Sequence, residues 1–576
     1  MSFLSFLTDS SDITETLAAL WARFPGLPRL LTQYIRYGLV ILAVFTVCGC
    51  MASLLREKYS PELWGHLRTS GGDRLPLTHW ENILGSAGSS DAVVRGQGVA
   101  RTHAALTRDA QGMWTLYPLS GRASTLKNGG RLVIPTRISA GDNLTLGGVK
   151  LQFQPATVLE RREQSKTRTR PGMLVRPWVI LLWITEFQIL LCAQLVIAAG
   201  DSLLWTVIPV FLALTLIMWA YFAFVRAFRR SGFEIEALGF FLTTLGLGVI
   251  SSSNPDELPK WLLTVVLGLI VYVILCLLLR RLDIAQKLRW LAAAGALGLL
   301  LLTLLLGKQN WIRLGGFSFQ PSEIAKLCFV YAGTATLDRL FMKRNMILFV
   351  VLAAACVGML AVMSDFGTAL IFFATFLVIA FMRSGDFASL LFILAGTVIG
   401  GFMVLELKPY IAERFSAWRH VWEYPATIGY QQTRTMSAAA SGGLFGMGAG
   451  NGWLHRIAAA DTDLVFGMVC EEMGLLIALM AVGAVITITL FAYRSASLGR
   501  STFYCIAACA AASSLVMQVL LNVCGSVDIL PLTGVTFPFV SNGGSSMLAS
   551  WGMLAFIKAA DTREGASIAV RREKKD

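Results

Sequence analysis

Stretches of about twenty apolar residues recur along the chain, and they restrict its fold more than any other feature. They lie near residues 37–55, 178–199 and 203–225, then at 233–252, 260–279, 288–307, 322–341, 346–363, 366–382, 386–407, 463–492, 502–524 and 542–559. Inside a bilayer every backbone amide and carbonyl must be paired within the protein, so such stretches become helices. The expected fold is an all-α polytopic membrane protein, about ten spans in residues 231–562 preceded by about three extra ones. With 55% hydrophobic and 15% charged residues among 576, the chain is no ordinary soluble domain.

A net charge of +14 would suit nucleic acid, but here it is concentrated in short loops between spans, as cytoplasmic anchoring requires. No nucleic-acid partner is expected. Arg226, Arg229 and Arg230, Arg280 and Arg281, Lys343 and Arg344, Arg383, Arg494 with Arg500, and the basic tail 563–576 mark the inner connections. Residues 308–321, 408–462 and 525–541 then lie outside. The same count puts the amino terminus outside, with Arg23, Arg29 and Arg36 on the side the rule disfavours. Either the first apolar run is re-entrant or this short flank is overruled. Residues 1–34 have an amphipathic pattern suited to a membrane surface, and no cleavable signal is expected. All ten cysteines sit in or beside apolar runs, where Cys acts as a small hydrophobe, and no metal site is expected.

From about residue 75 to 155 the pattern changes to short β-type runs punctuated by Gly, Asn and Asp, including 104–106, 113–117, 131–134, 143–146 and 149–153. Such spacing predicts a small all-β sandwich, bounded at 70–157, between an amphipathic anchor at 1–60 and a basic linker with two spans at 158–230. The runs Ile83-Leu84-Gly85, Arg101-Thr102-His103, Asn128-Gly129 and Gly141-Asp142 resemble the forkhead-associated (FHA) family. The resemblance implies a docking domain that reads phosphothreonine, for which Arg101, His103 and Asn128 are the candidate contacts. Ser86, Ala100 and Ala123 stand where phosphate-reading members carry their polar contacts. A dianion needs charge-assisted donors, so a phosphate-independent docking domain is favoured, with a cytoplasmic partner. Arg101, Arg122 or Lys127 could compensate.

The polar island 408–463 separates two apolar blocks and faces the exterior in this topology. Together with Gln320-Pro321-Ser322-Glu323 and Lys326, Ser364-Asp365, Gly429-Tyr430-Gln431, Gly442-Gly443, Glu471-Glu472 and Pro531 to Ser546, it resembles the SEDS family (FtsW, RodA, SpoVE). The resemblance implies a peptidoglycan glycosyltransferase of the bacterial cytoplasmic membrane that polymerises lipid II in division, elongation or sporulation, beside a class B penicillin-binding protein. A divalent cation accompanying the lipid diphosphate is the one cofactor this chemistry admits.

Such a reaction needs a base for the acceptor hydroxyl and cations for the departing diphosphate. Glu323, Lys326 and Asp365 are the candidate buried groups, with a structural ion pair and a helix cap as the rival roles. Arg313, Arg414 and Arg434, the glycines Gly442 and Gly443, and Ser545 and Ser546 are candidate substrate contacts, the glycines through their amides. Arg419 and Arg456 are weaker candidates. At the position of the family's catalytic Asp this chain has Tyr424, and a phenol with an ordinary pKa of about 10 is a poor base. Glu423 next to it, or Asp461, is the candidate replacement. The alternatives are a catalytically silent homologue that scaffolds or binds lipid II, and a lipid transporter.

Overall fold

The computed structural model describes residues 23, 26–56, 61–88, 90–109, 111–120, 124–167, 170–199, 204–307, 310–314, 317–337, 343–384, 391, 394–395 and 415–570. The chain opens with α1 (Leu27–Leu55), followed by the strands β1 to β11 and a short helix α2 (Val158–Thr167). The helices α3 (Pro177–Ala199), α4 (Leu204–Ala227), α5 (Glu234–Ser253), α6 (Leu258–Leu279), α7 (Leu282–Lys287) and α8 (Arg289–Leu306) come next. A hairpin of β12 (Ile312–Leu314) and β13 (Phe317–Phe319) leads into α9 (Pro321–Leu337), α10 (Lys343–Val362) and α11 (Phe366–Ser384). The remaining helices are α12 (Tyr430–Gly442), α13 (Val465–Glu472), α14 (Leu475–Ser497), α15 (Thr502–Ser526) and α16 (Gly544–Ala559).

Among the described residues nine helices are long and apolar enough to cross a membrane, three of them before residue 231. The expected spans at 322–341, 346–363 and 542–559 coincide with the helices α9, α10 and α16 over the described residues. The one at 386–407 falls almost wholly outside the described residues. One expectation fails outright: 463–492 is not a single span. Gly474 sits at φ +97°, a conformation closed to most side chains, and divides α13 from α14. A Cβ there would run into the backbone of Leu444, Phe445 and Gly446. Hydrophobic length cannot expose such a break, because the run remains apolar on average across it.

The bundle is centred on α5, buried over 94% of its apolar window. Three ionic contacts sit at one end of it. Arg563 pairs with Glu234 at 3.0 Å and with Asp561 at 2.9 Å, and Lys558 pairs with Glu236 at 3.0 Å, all five side chains buried. Buried charges persist only when paired, and here they lock α5 to α16 and the segment after it.

The sandwich has two sheets, ordered β2-β1-β11-β10-β7-β8 and β4-β3-β5-β6-β9. Its strands are β1 (Gly65–Thr69), β2 (Arg74–Leu77), β3 (Glu81–Gly85), β4 (Ala92–Val93), β5 (Ala104–Arg108), β6 (Trp114–Pro118), β7 (Thr125–Lys127), β8 (Gly130–Arg131), β9 (Thr136–Ile138), β10 (Asn143–Leu146) and β11 (Val149–Pro155). Alternating side chains such as Leu84, Leu106, Trp114, Leu144, Leu151 and Phe153 fill the space between the sheets. The expected strand at 131–134 is mostly loop. Its pairing stops at Arg131, and Val133 and Ile134 are 79% and 70% exposed.

The sandwich rests on the turn between α14 and α15. The Trp80 amide donates to the Arg500 carbonyl at 2.6 Å, and the Arg500 guanidinium lies 5.4 Å from the Trp80 ring. Glu81 accepts from the Thr502 amide and the Ser501 hydroxyl, both at 2.9 Å. Since Ser501 makes no side-chain cap of its own, Glu81 caps α15 from the neighbouring domain.

Candidate functional site

Proline at the first position of α9 suits a helix start, where no amide bond is lost, and it fixes the following residues on the first turn. Glu323 and Lys326, three residues apart, therefore share a face. Their side chains meet at 2.8 Å and are only 5% and 3% exposed. Asp365 precedes α11 and takes part in its cap, accepting the Thr368 amide through Oδ1 at 3.1 Å. Its Oδ2 is buried without a hydrogen-bond partner, and the carboxyl feels the charges of both Glu323 and Lys326. Glu323 and Lys326 thus form a buried ion pair, and Asp365, half-buried as a residue, completes the cluster with one buried, unpartnered oxygen.

The first turn of α16 meets the chain just before α9. Ser545 Oγ accepts the Gln320 amide at 3.2 Å, directly before α9, and the hydroxyls of Ser546 and Thr536 are 2.8 Å apart. Arg313 lies on the β12–β13 hairpin opposite Ser318 and is exposed.

Glu423 is elsewhere. It is exposed, and its Oε1 lies 3.1 Å from His420 Nδ1, while Tyr424 is 45% exposed. Among the described residues no contact joins Glu423 to the cluster of Glu323, Lys326 and Asp365. The loop carrying it is anchored to the turn after α15 by Trp418 Nε1 on the Ile529 carbonyl at 3.0 Å and the Arg419 amide on Asp528 at 3.1 Å. Arg434 is exposed, with its guanidinium 5.4 Å from the Tyr430 ring centre. Arg456 is exposed too, and Arg414 lies outside the described residues. Asp461 is fixed by two amides, Asn254 and Asn542, each at 2.9 Å.

The expected amide cradle at Gly442 and Gly443 is corrected by the structure. Gly442 ends α12 hard against the backbone of Cys470 and Glu471, where a Cβ has no room. The Gly443 amide donates to the Ala440 carbonyl at 3.3 Å, and those of Gly446, Met447 and Gly448 to the carbonyls of Gly442, Glu471 and Glu472 at 2.8–2.9 Å. These donors are consumed inside the fold, so the glycines serve close packing. Glu471 and Glu472 have a similar duty. Glu471 accepts the Trp453 and Leu454 amides at 2.9 and 3.0 Å, and Glu472 accepts that of Gly450 at 3.1 Å.

Sequence reasoning missed the other side of this glycine loop. Arg36 of α1 donates to the Gly446 carbonyl, and Gln194 of α3 accepts the Ala449 amide at 3.1 Å. The helices before residue 231 therefore hold the island from behind. Arg36 on the disfavoured side of the first span was the available signal.

In the sandwich two of the three candidate contacts, Arg101 and Asn128, are exposed, and the third is not. His103 is buried, with Nδ1 accepting the Ala100 amide at 3.1 Å and Nε2 facing the Ser124 carbonyl at 3.2 Å. Burial pushes its imidazole below the ordinary range, against the Ser124 contact. Asn128, in a left-handed conformation at φ +49°, bonds Asp142 and the Asn143 amide at 2.8 Å each. Both side chains shape loops, and Arg101 is exposed.

Residues 234–565 match the cell cycle protein family of FtsW, RodA and SpoVE, and residues 82–147 match the FHA domain. The chain is 32% identical over 273 residues to the peptidoglycan glycosyltransferase RodA of Mycobacterium tuberculosis (strain ATCC 25618 / H37Rv), covering 44% of this chain and 57% of that protein. It is 28% identical over 366 residues to the probable peptidoglycan glycosyltransferase FtsW of Saccharophagus degradans, covering 58% of this chain and 93% of the relative. A chain from the structure of a peptidoglycan synthase complex that coordinates polymerization and crosslinking is 26% identical, with a TM-score of 0.47 over 56% of this chain and 95% of its own length.

Proposed function

As the chain belongs to the FtsW, RodA and SpoVE family, we propose that it is a peptidoglycan glycosyltransferase polymerising lipid II at the outer face of the bacterial cytoplasmic membrane. A class B penicillin-binding protein is its partner, and the FHA-like sandwich lies in the cytoplasm. The observation that carries this reading is the buried Glu323–Lys326 ion pair beside the half-buried Asp365, whose Oδ2 is buried without a partner. Ionisable groups inside a span bundle are costly and persist where they are used or paired. Arg313 and Arg434 offer positive charge for a diphosphate at the surface, and Lys326 joins them only where a diphosphate draws it from Glu323.

The base must be exposed, and His420 with Glu423 fits that need. At 3.1 Å the carboxylate orients the imidazole, so the pair can accept the proton of an acceptor hydroxyl. The carboxylate missing at Tyr424 is thereby replaced by two residues acting together. A second reading, a catalytically silent lipid II-binding scaffold, is favoured by the lack of contact between Glu423 and the cluster of Glu323, Lys326 and Asp365.

Purified protein with its penicillin-binding partner should extend lipid II into glycan strands. His420→Ala and Glu423→Ala should each lower the rate by roughly 10²–10⁴-fold. Because the two act as a unit, the double variant should lose little more. A wild type without product, rescued by Tyr424→Asp, would establish the scaffold reading instead.

A further inference from the structure

The face of α3 that turns away from the bundle carries a carboxylate at mid-membrane depth. Trp178, Leu182, Glu186 and Ile189 follow one another at helical spacing, and all four are exposed. Glu186 is the tenth residue of the 22-residue apolar window Pro177–Ala198. At the helical rise it stands about 14 Å from the Pro177 end, too deep for so short a side chain to reach water.

The neighbouring helices leave it alone. Its adjacent residue Thr185 is engaged, accepting from Trp219 Nε1 of α4 at 3.0 Å, and Gln188 bonds Thr244 and Thr215 at 2.9 and 2.7 Å. On the other flank Phe45 of α1 packs on Trp183 at 5.6 Å between ring centres. Among the described residues no hydrogen bond or ion pair reaches Glu186 itself. Ionisable groups in spans nearly always face the bundle interior or a partner, because lipid offers nothing to a charge. Glu186 does neither within this chain.

We propose that this outward stripe of α3 is the docking face for one transmembrane helix of another protein, carrying a lysine or arginine at the depth of Glu186. Charge complementarity selects the occupant. A second copy of this chain is disfavoured, since a two-fold interface here would set Glu186 against Glu186. The apolar neighbours Leu182 and Ile189, with Ile41 and Phe45 of α1, supply the packing surface. The ion pair would set the depth and the rotation of the incoming helix.

The test uses the full chain in lipid nanodiscs and two synthetic transmembrane peptides of leucine and alanine, identical except for a central Arg or a central Leu. Association is read by energy transfer between labels on chain and peptide. The Arg peptide should bind the wild type roughly tenfold more tightly than the Leu peptide. Glu186→Leu, which suits lipid and does not threaten folding, should abolish the preference, and Glu186→Lys should transfer it to a peptide with a central Glu. Equal binding of the Arg and Leu peptides by wild type would overturn the proposal, as would a preference that survives in Glu186→Leu. A photo-crosslinker at Ile189 that captures only a second copy of the chain would overturn it as well. None of these readouts depends on glycan synthesis.

Discussion

Lys326 and Glu323 neutralise each other in a place where water cannot, so removing either leaves the other charge uncompensated. Lys326→Met should cost about 3–5 kcal/mol of stability, whereas the double variant Lys326→Met/Glu323→Leu should recover most of it. Thermal unfolding in detergent measures both. If the pair only braces the bundle, the recovered double variant also regains polymerisation; if Lys326 serves the diphosphate, it stays folded and inactive. His103 gives a different signature. Its imidazole is held neutral below the ordinary value of 6.5. Above that pH neither folded nor unfolded chain binds the proton, but below it the unfolded chain alone does, so stability falls as pH drops. Amide hydrogen exchange of residues 104–108 in the full chain, corrected for intrinsic rates, should quicken between pH 7.5 and 5.5, and His103→Gln should remove the change. At this scale the sequence disclosed the identities of Glu323, Lys326, Asp365 and the absent carboxylate at Tyr424. It could not disclose that the Gly442 and Gly443 donors are spent or that His420 stands beside Glu423, because neither follows from spacing alone.

Among elements, hydrophobic length located most helices and failed where geometry overrides it, as at Gly474. The strands were legible where turn residues bracket them, but Val133 and Ile134 misled because β-branched residues in a loop carry the same local signal as in a strand. The cap of α15 by Glu81 was invisible, since it joins residues about four hundred positions apart. Its acceptors sit where the helix dipole favours a negative charge. Glu81→Ala should therefore loosen the first turn of α15 by about 0.5–2 kcal/mol. Faster amide exchange at residues 502–505 would register the loss, and Glu81→Gln, which retains an acceptor oxygen, should lie between. No change in either variant would mean that the Ser501 and Thr502 contacts with Glu81 do not support the helix.

At the scale of the molecule, the order anchor, sandwich, two spans and main bundle could be read from composition shifts alone. The grip of the first helices on the island could not. Arg36 and Gln194 reach the glycine loop only after α1 and α3 have packed together, and such long-range contact leaves no local pattern. The sandwich, for its part, is held by both ends: α1 stops at Leu55, β1 begins at Gly65, β11 finishes at Pro155 and α3 starts at Pro177. Two short tethers keep its docking face within reach of the 499–502 turn at an effective concentration on the order of millimolar. A freely diffusing competitor for that turn would arrive at a seat that refills faster than it empties. Any factor that changes this contact has to take hold of the sandwich itself.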